Sequence, residues 1–320
     1  MRIERALVML CIAAAPATAQ IAGPDGNLPL PPGEMIRRMC EEPFDIVEAQ
    51  GAGGGVMGAK RWTLQYADGL KLKVKWKQAP KGGDGWNNSP RLEVAAYQIQ
   101  RMFLDPDDHV VPPVCGRCVP FKTYQAVDDD HEANLPEGQC VFGSFSAWLQ
   151  NVRQPDRAYD PKRFSRDPAY ARHFAHLNLL TYLISQHDAR GNNFLMSTDP
   201  QNPQIFSIDN GISFDVWFYN WFAWHLNEIR VGGLEHGAIE RLRQVTQAQL
   251  DALGVVEQFE REPDGIYRRV AVGANLNPME GARLSGTTFQ YGLTEVEIGA
   301  LSQRLRHLLR RIDAGELVLF

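Results

Sequence analysis

Residues 185–215, SQHDARGNNFLMSTDPQNPQIFSIDNGISFD, hold two acidic stations with asparagines beside each. Asp188 is followed by Asn192 and Asn193, and Asp209 by Asn210 and Gly211. The apolar helical pattern NLLTYLISQH runs into the first station. The strand-like FLM leaves it, a turn from Ser197 to Gln204 follows, and the strand IFSI leads to the second. A hairpin of this length returns Asp209 to the side of Asp188. Phosphoryl transfer asks for a carboxylate that orients the nucleophile, amide and carboxylate oxygens that hold a divalent metal, and a cation for the phosphates. The D-x-x-x-x-N step from Asp188 to Asn193 puts the base and the metal-binding amide on one loop.

The 320 residues suffice for one large or two small domains with a substantial core. A composition of 44% hydrophobic, 22% charged and 10% aromatic residues excludes a disordered or fibrous protein. A formal charge of -5 without a basic stripe argues against a nucleic-acid binder. The N-terminus, MRIERALVMLCIAAAPATAQ, has the layout of a secretory signal cut after Ala19, so residues 1–19 are expected to leave an exported, periplasmic or secreted chain. Its apolar run is too short to cross a bilayer, and no later stretch is long and apolar enough. Export leaves Cys40, Cys115, Cys118 and Cys140 in an oxidising compartment, where two disulfides are expected with three connectivities open. The CGRC stretch lacks the βαβ surroundings of a redox motif.

Residues 20–40 are rich in Pro and Gly and read as a leader or linker. Strands are expected at 43–50, 61–67 and 70–77, with a glycine-dense turn at 51–60. In LKLKVKWK, Leu70, Leu72, Val74 and Trp76 face one way and Lys71, Lys73, Lys75 and Lys77 the other. SPRLEVAAYQIQRMFL (89–104) reads as a helix with Ser89 as N-cap. Further strands are expected in the VCGRC and QCVFGSF stretches, and helical patterns dominate from about 145 onward, at 167–186, 235–253 and 294–313. The expected class is α+β and two-lobed: a small β-rich N-lobe with one helix (41–145), then a larger, mainly helical C-lobe (146–320).

With Asp188, Asn193 and the DNG at 209–211, the chain resembles the protein-kinase-like superfamily. The resemblance is strongest to atypical branches, the secreted-pathway kinases related to the Golgi casein kinase and the type II phosphatidylinositol 4-kinases. It covers about Phe44 to Phe214. Such a fold implies a glycine turn, a strand lysine and a helix glutamate in that order. Gly51, Gly53, Gly54 and Gly55 would cover a nucleotide, since glycine lets backbone N–H groups approach phosphates. Lys77, with Lys75 as the alternative on the same face, would hold the phosphates. Glu93 would pair with the lysine, because a buried lone carboxylate is costly. Asp209 and Asn193 would hold Mg²⁺ or Mn²⁺ beside ATP or another nucleoside triphosphate, and Asp188 would serve an acceptor hydroxyl. The resemblance thus implies a phosphotransferase acting on a protein serine or threonine, a glycan or a lipid.

Several residues depart from the protein-kinase pattern. Asn210 replaces the Phe of D-F-G, Gln186-His187 replaces His-Arg, Arg190 stands where many kinases carry a lysine, and FDVWFYNWFAWHLNEIRVGGL contains no A-P-E. Substrate class is therefore open, and so is a nucleotide-binding pseudokinase scaffold. His173, His176 and His187 also lie at spacings that a metal-dependent phosphoesterase could use. The aromatic run at 216–225 reads as helix core or as a lipid or glycan surface.

Overall fold

Strict alternation in KLKVKWK builds the middle of the first sheet. The structure, a computed structural model, describes the chain apart from residues 1–25, 53–57, 86–88, 130, 158, 190–192 and 215–227. The sheet contains β1 (Asp45–Gly51), β2 (Lys60–Gln65), β3 (Lys71–Gln78), β4 (Val114–Pro120) and β5 (Cys140–Ala147), in the spatial order β1-β2-β3-β5-β4 with antiparallel neighbours. Leu72, Val74 and Trp76 are buried. Trp76 stacks on Trp62 at a centroid distance of 4.8 Å and meets Phe145 at 5.0 Å. Lys75 and Lys77 project to the other face, opposite Ser146 and Ser144 of β5.

The helix read at 89–104 is α2 (Pro90–Gln100), which packs against β4. Ser89 occupies the N-cap position, but its side chain makes no capping bond. The leader reading of 20–40 gives way at Pro32 to helix α1 (Pro32–Cys40), whose Met35 and Met39 join the Trp62–Trp76 cluster. Proline at the first turn suits a helix start, because its missing N–H is not needed there. Two disulfides close this half, Cys40–Cys115 and Cys118–Cys140. The two cysteines of CGRC thus take different partners.

The short helix α3 (Phe121–Tyr124) precedes β5. Past β5, the two-residue strand β6 (Val152–Arg153) leads to α4 (Pro161–Phe164) and α5 (Pro168–Leu183). Asp167 caps α5 by accepting from the Tyr170 N–H at 3.0 Å. Almost every residue of α5 is buried, so it forms the axis of the second half. The hairpin follows as β7 (Phe194–Ser197) and β8 (Ile205–Ser207), with Phe194 opposite Ser207, and β6 pairs with β7. The pattern at 235–253 resolves into α6 (His236–Arg243) and α7 (Gln247–Asp251), separated where Thr246 forms a capping box with Gln249. The last expected helix is α8 (Glu295–Asp313).

One sheet was not anticipated in the second half. Strands β9 (Glu257–Arg261), β10 (Tyr267–Val270), β11 (Ala282–Ser285) and β12 (Thr288–Tyr291) pair in the order β10-β9-β12-β11. Phe259 and Phe289 pack edge-on against Phe142 of β5, with centroids 5.2 and 5.1 Å apart. The chain therefore returns to support the first sheet.

Candidate active site

The two ends of the opening stretch meet in space. The segment of the first station begins at Ser185 (φ 47°) and the DNG segment closes at Phe214 (φ 65°), both in the left-handed region. Non-glycine residues enter this region at a cost of about 1–3 kcal/mol and stay there only when surrounding contacts enforce it. Here the Phe214 N–H donates to the Ile184 carbonyl at 2.7 Å, and the His187 N–H to the Ile212 carbonyl at 3.2 Å.

Gln186, buried directly before the first station, fastens the two stations together. Its Nε2 donates to the Asp209 carbonyl at 2.8 Å and to Asn210 Oδ1 at 3.1 Å, while its Oε1 accepts from the Asp188 N–H at 2.9 Å. Ser207 Oγ also donates to Asn210 Oδ1, at 2.7 Å. Asn210 therefore has a packing role, different from that of a D-F-G phenylalanine. Asn193 Nδ2 donates to both the carbonyl and the Oδ2 of Asp188, at 2.8 and 2.7 Å. The Ile208 N–H donates to the Asn193 carbonyl at 3.0 Å, which closes the loop onto the strand.

The first sheet and α2 supply the charges. Lys77 Nζ lies 3.5 Å from Asp209 Oδ1, and its side chain is only 6% exposed while that of Asp209 is 41% exposed. Glu93 Oε2 accepts from the Asn210 N–H at 3.0 Å. The expected Lys77–Glu93 pair is not among the ion pairs of the described residues; the ammonium takes Asp209 instead. Lys75 Nζ donates to the Ile208 carbonyl at 3.1 Å. Burial pushes the Glu93 carboxyl up, and the charge of Asp209 pushes it further. Burial also opposes charge on Asp209, yet Lys75, Lys77 and a Glu93 hydrogen bond hold its carboxyl below the usual range. Asp209 and Glu93 oppose each other's charge as carboxylates, a repulsion that a further cation between them would relieve. Asn193 Nδ2 is engaged by Asp188, so Oδ1 is the atom it would offer to such an ion.

A cavity of ≈ 350 Å³ opens beside this group, lined by Lys75, Glu93, Ala147, Leu149, Leu195 and Ile208 among others. It lies where β5 runs on toward β6, and its size suits a small-molecule ligand. Ser89 Oγ is buried without a hydrogen-bond partner among the described residues, and the Ser89 N–H lies near Gly211. A buried hydroxyl of this kind fits a site that takes a polar ligand. Gly51 ends β1, exposed. Gly53, Gly54, Gly55, Arg190 and the aromatic run at 216–225 lie outside the described residues. Of the three histidines grouped from sequence, His173 and His176 do cluster, but with Asp108 and not with His187.

Lys77, Glu93 and the Asp209 loop meet beside the five-stranded sheet in a fold of the atypical-kinase kind. Its particular version is Fam20-like. The structure is similar to that of hydra Fam20 with sugar, at a TM-score of 0.51 and 14% sequence identity over 88% of this chain and 90% of that one. It is similar to the Golgi casein kinase with Mn/ADP bound, at a TM-score of 0.50 and 12% identity over 90% of this chain and 79% of that one. At such identities the likeness is one of fold. No family model and no curated protein sequence matches the chain. The likeness to lipid kinases rests on sequence alone.

Proposed function

We propose that this protein is an exported atypical kinase that moves the γ-phosphoryl group of a nucleoside triphosphate to an acceptor hydroxyl. The observation that carries the reading is the meeting of Lys77, Glu93 and Asp209 beside a cavity, with Asp188 and Asn193 hydrogen-bonded on the adjoining loop. The residues fit a divalent cation: Asp209 and Asn193 Oδ1 would hold it, with Glu93 alongside. Mg²⁺ or Mn²⁺ bound there would neutralise charge on the transferring phosphoryl group. Lys77 binds the phosphates. Asp188, held in place by Asn193 and Gln186, orients the acceptor hydroxyl and accepts its proton. The Mn/ADP-bound neighbour supports the ligand class, and the sugar-bound one favours glycan beside protein acceptors. Export is supported by the signal-like N-terminus and the two disulfides.

Thermal shift with ATP, GTP and their analogues, each with Mg²⁺ or Mn²⁺, tests binding. Stabilisation is expected in the wild type but not in Lys77→Ala or Asp209→Ala, and a reduced one in Lys75→Ala, whose ammonium lines the cavity while donating to the Ile208 carbonyl. No shift with any nucleotide would sink the reading. Radiolabel transfer to peptide, glycan and lipid panels then identifies the acceptor; binding without transfer identifies a pseudokinase scaffold.

A further inference from the structure

A second polar cluster lies apart from the phosphoryl-transfer residues. It joins the single-turn 3₁₀ segment Pro106–Asp108, which follows α2, to the buried axis helix α5. His173 and His176 are three residues apart on α5 and so share a face. With Asp108 they offer ligand atoms that all lie within 4.8 Å of one another, and all three residues are buried. His173 is 6% exposed and His176 0%.

The outer nitrogens fix which atoms face inward. His173 Nε2 pairs with Asn202 Oδ1 at 2.7 Å, so Nε2 carries the hydrogen and Nδ1 is a bare lone pair. His176 Nε2 lies 3.5 Å from the Glu235 carboxylate without a hydrogen bond to it, so neither ring nitrogen of His176 is engaged among the described residues. Both Nδ1 atoms are buried with no hydrogen-bond partner among the described residues. The third donor is Asp108 Oδ1, 4.0 Å from His176 Nδ1, while Asp108 Oδ2 is held by Arg172. Three donor atoms therefore converge with no hydrogen bond joining them among the described residues. A single proton could satisfy only one of the two nitrogens. A cation satisfies all three donors.

We propose that Asp108, His173 and His176 bind a divalent ion of the zinc class, which fastens the turn after α2 to α5. Two imidazoles and a carboxylate suit Zn²⁺ better than the oxygen-seeking Mg²⁺. Metal-ligating histidines commonly donate their other N–H to a carboxylate or carbonyl oxygen, the role that Asn202 fills for His173, with the Glu235 carboxylate 3.5 Å from His176 Nε2. Ligand atoms around a tetrahedral ion with bonds of about 2.1 Å stand about 3.4 Å apart, so the 4.0 Å separation closes with a small side-chain adjustment. The assignment does not depend on the kinase reading.

The test uses the full chain carrying Asp209→Ala, which removes the other proposed cation site. Purified protein is stripped with chelator, reloaded with Zn²⁺ or Co²⁺ alone, and assayed by elemental analysis and visible absorption. One equivalent is expected per chain, with the Co²⁺ spectrum of a four-coordinate nitrogen–oxygen site and a Tm that falls when the ion is removed. His173→Gln and His176→Gln, near in size, should fold yet lose the ion and the chelator effect; His131→Ala should keep both. If neither metal is taken up, or if uptake survives both glutamine variants, the proposal is overturned. A chelator-insensitive Tm that instead follows pH would likewise overturn it, by assigning the cluster to a protonated His176 between two carboxylates.

Discussion

Gln186 illustrates how one side chain can serve both halves of a site. Its amide donates to the second station through the Asp209 carbonyl and Asn210, and accepts from the backbone of the first at Asp188. Replacing it with Leu keeps the bulk but leaves buried partners unpaired, at about 1–3 kcal/mol for each unmet group. Gln186→Leu should therefore lose roughly 3 kcal/mol in denaturant unfolding and bind nucleotide more weakly, although it touches no nucleotide. Unchanged unfolding would show that the clamp carries no energy. Lys77, Glu93, Asp188, Asn193 and Asp209 could be singled out in the sequence because phosphoryl transfer would ask for those chemical types in that order, and the structure brings Lys77, Glu93 and Asp209 together. Gln186 was legible only as a departure from His-Arg. The usable signal was its pairing with a second departure, Asn210: two amides had replaced two ring-bearing residues at positions that touch. The exchange of partners between Lys77 and Glu93 could not be read, because both carboxylates lie within reach of the lysine only in three dimensions.

Among the elements, β3 could be read from its strict alternation, α2 and α5 from long apolar runs that open with an N-cap residue and Pro, and the β7–β8 hairpin from the polar turn between two apolar runs. Helix α1 could not, because Pro31 and Pro32 look like linker until they are placed at a helix start. Strands β9–β12 are only four or five residues long and mix arginine and glutamate with their aromatic residues. Their burial comes from packing on β5, which no local pattern announces. Strand β4 anchors both disulfides, and their sequence separations of 75 and 22 predict unequal worth. In a chain-entropy account, removing Cys40–Cys115 as a double serine variant should cost about 4.5 kcal/mol, and removing Cys118–Cys140 about 3.4 kcal/mol. Chemical unfolding of the two variants measures both. Equal losses, or the reverse order, would show that native packing rather than loop closure sets the effect.

At the scale of the whole molecule, the first sheet and the later one are joined through Glu257. Its Oε2 accepts from the Gly116 N–H at 2.7 Å and from the Tyr291 hydroxyl, and its Oε1 lies 3.3 Å from Arg269. Gly116 has to be glycine here, because a Cβ would come 2.3 Å from the Tyr291 oxygen. Burial pushes the Glu257 carboxyl up, against the opposing pull of Arg269. A raised folded-state value means that the folded protein keeps its proton longer than the unfolded chain. The stability contribution of this group is thus complete below the unfolded value of about 4.3 and declines as pH rises past it. Unfolding curves from about pH 4 to about pH 7 should show the wild type losing stability relative to Glu257→Gln. Parallel curves for the two proteins would refute this assignment.

The 3.5 Å contact between Lys77 and Asp209 has a further consequence for how the site fills. An aspartate already carrying an ammonium is a poor acceptor for a free metal ion, and an ammonium already on an aspartate is less available to phosphate. On the proposed kinase reading, a metal–nucleotide complex would resolve both at once, the phosphates drawing on Lys77 while Asp209 turned to the ion. Each ligand then raises the affinity of the other by the same factor, as reciprocity of coupled equilibria requires. On that reading the site would load its two ligands together and hold either one weakly when it came alone.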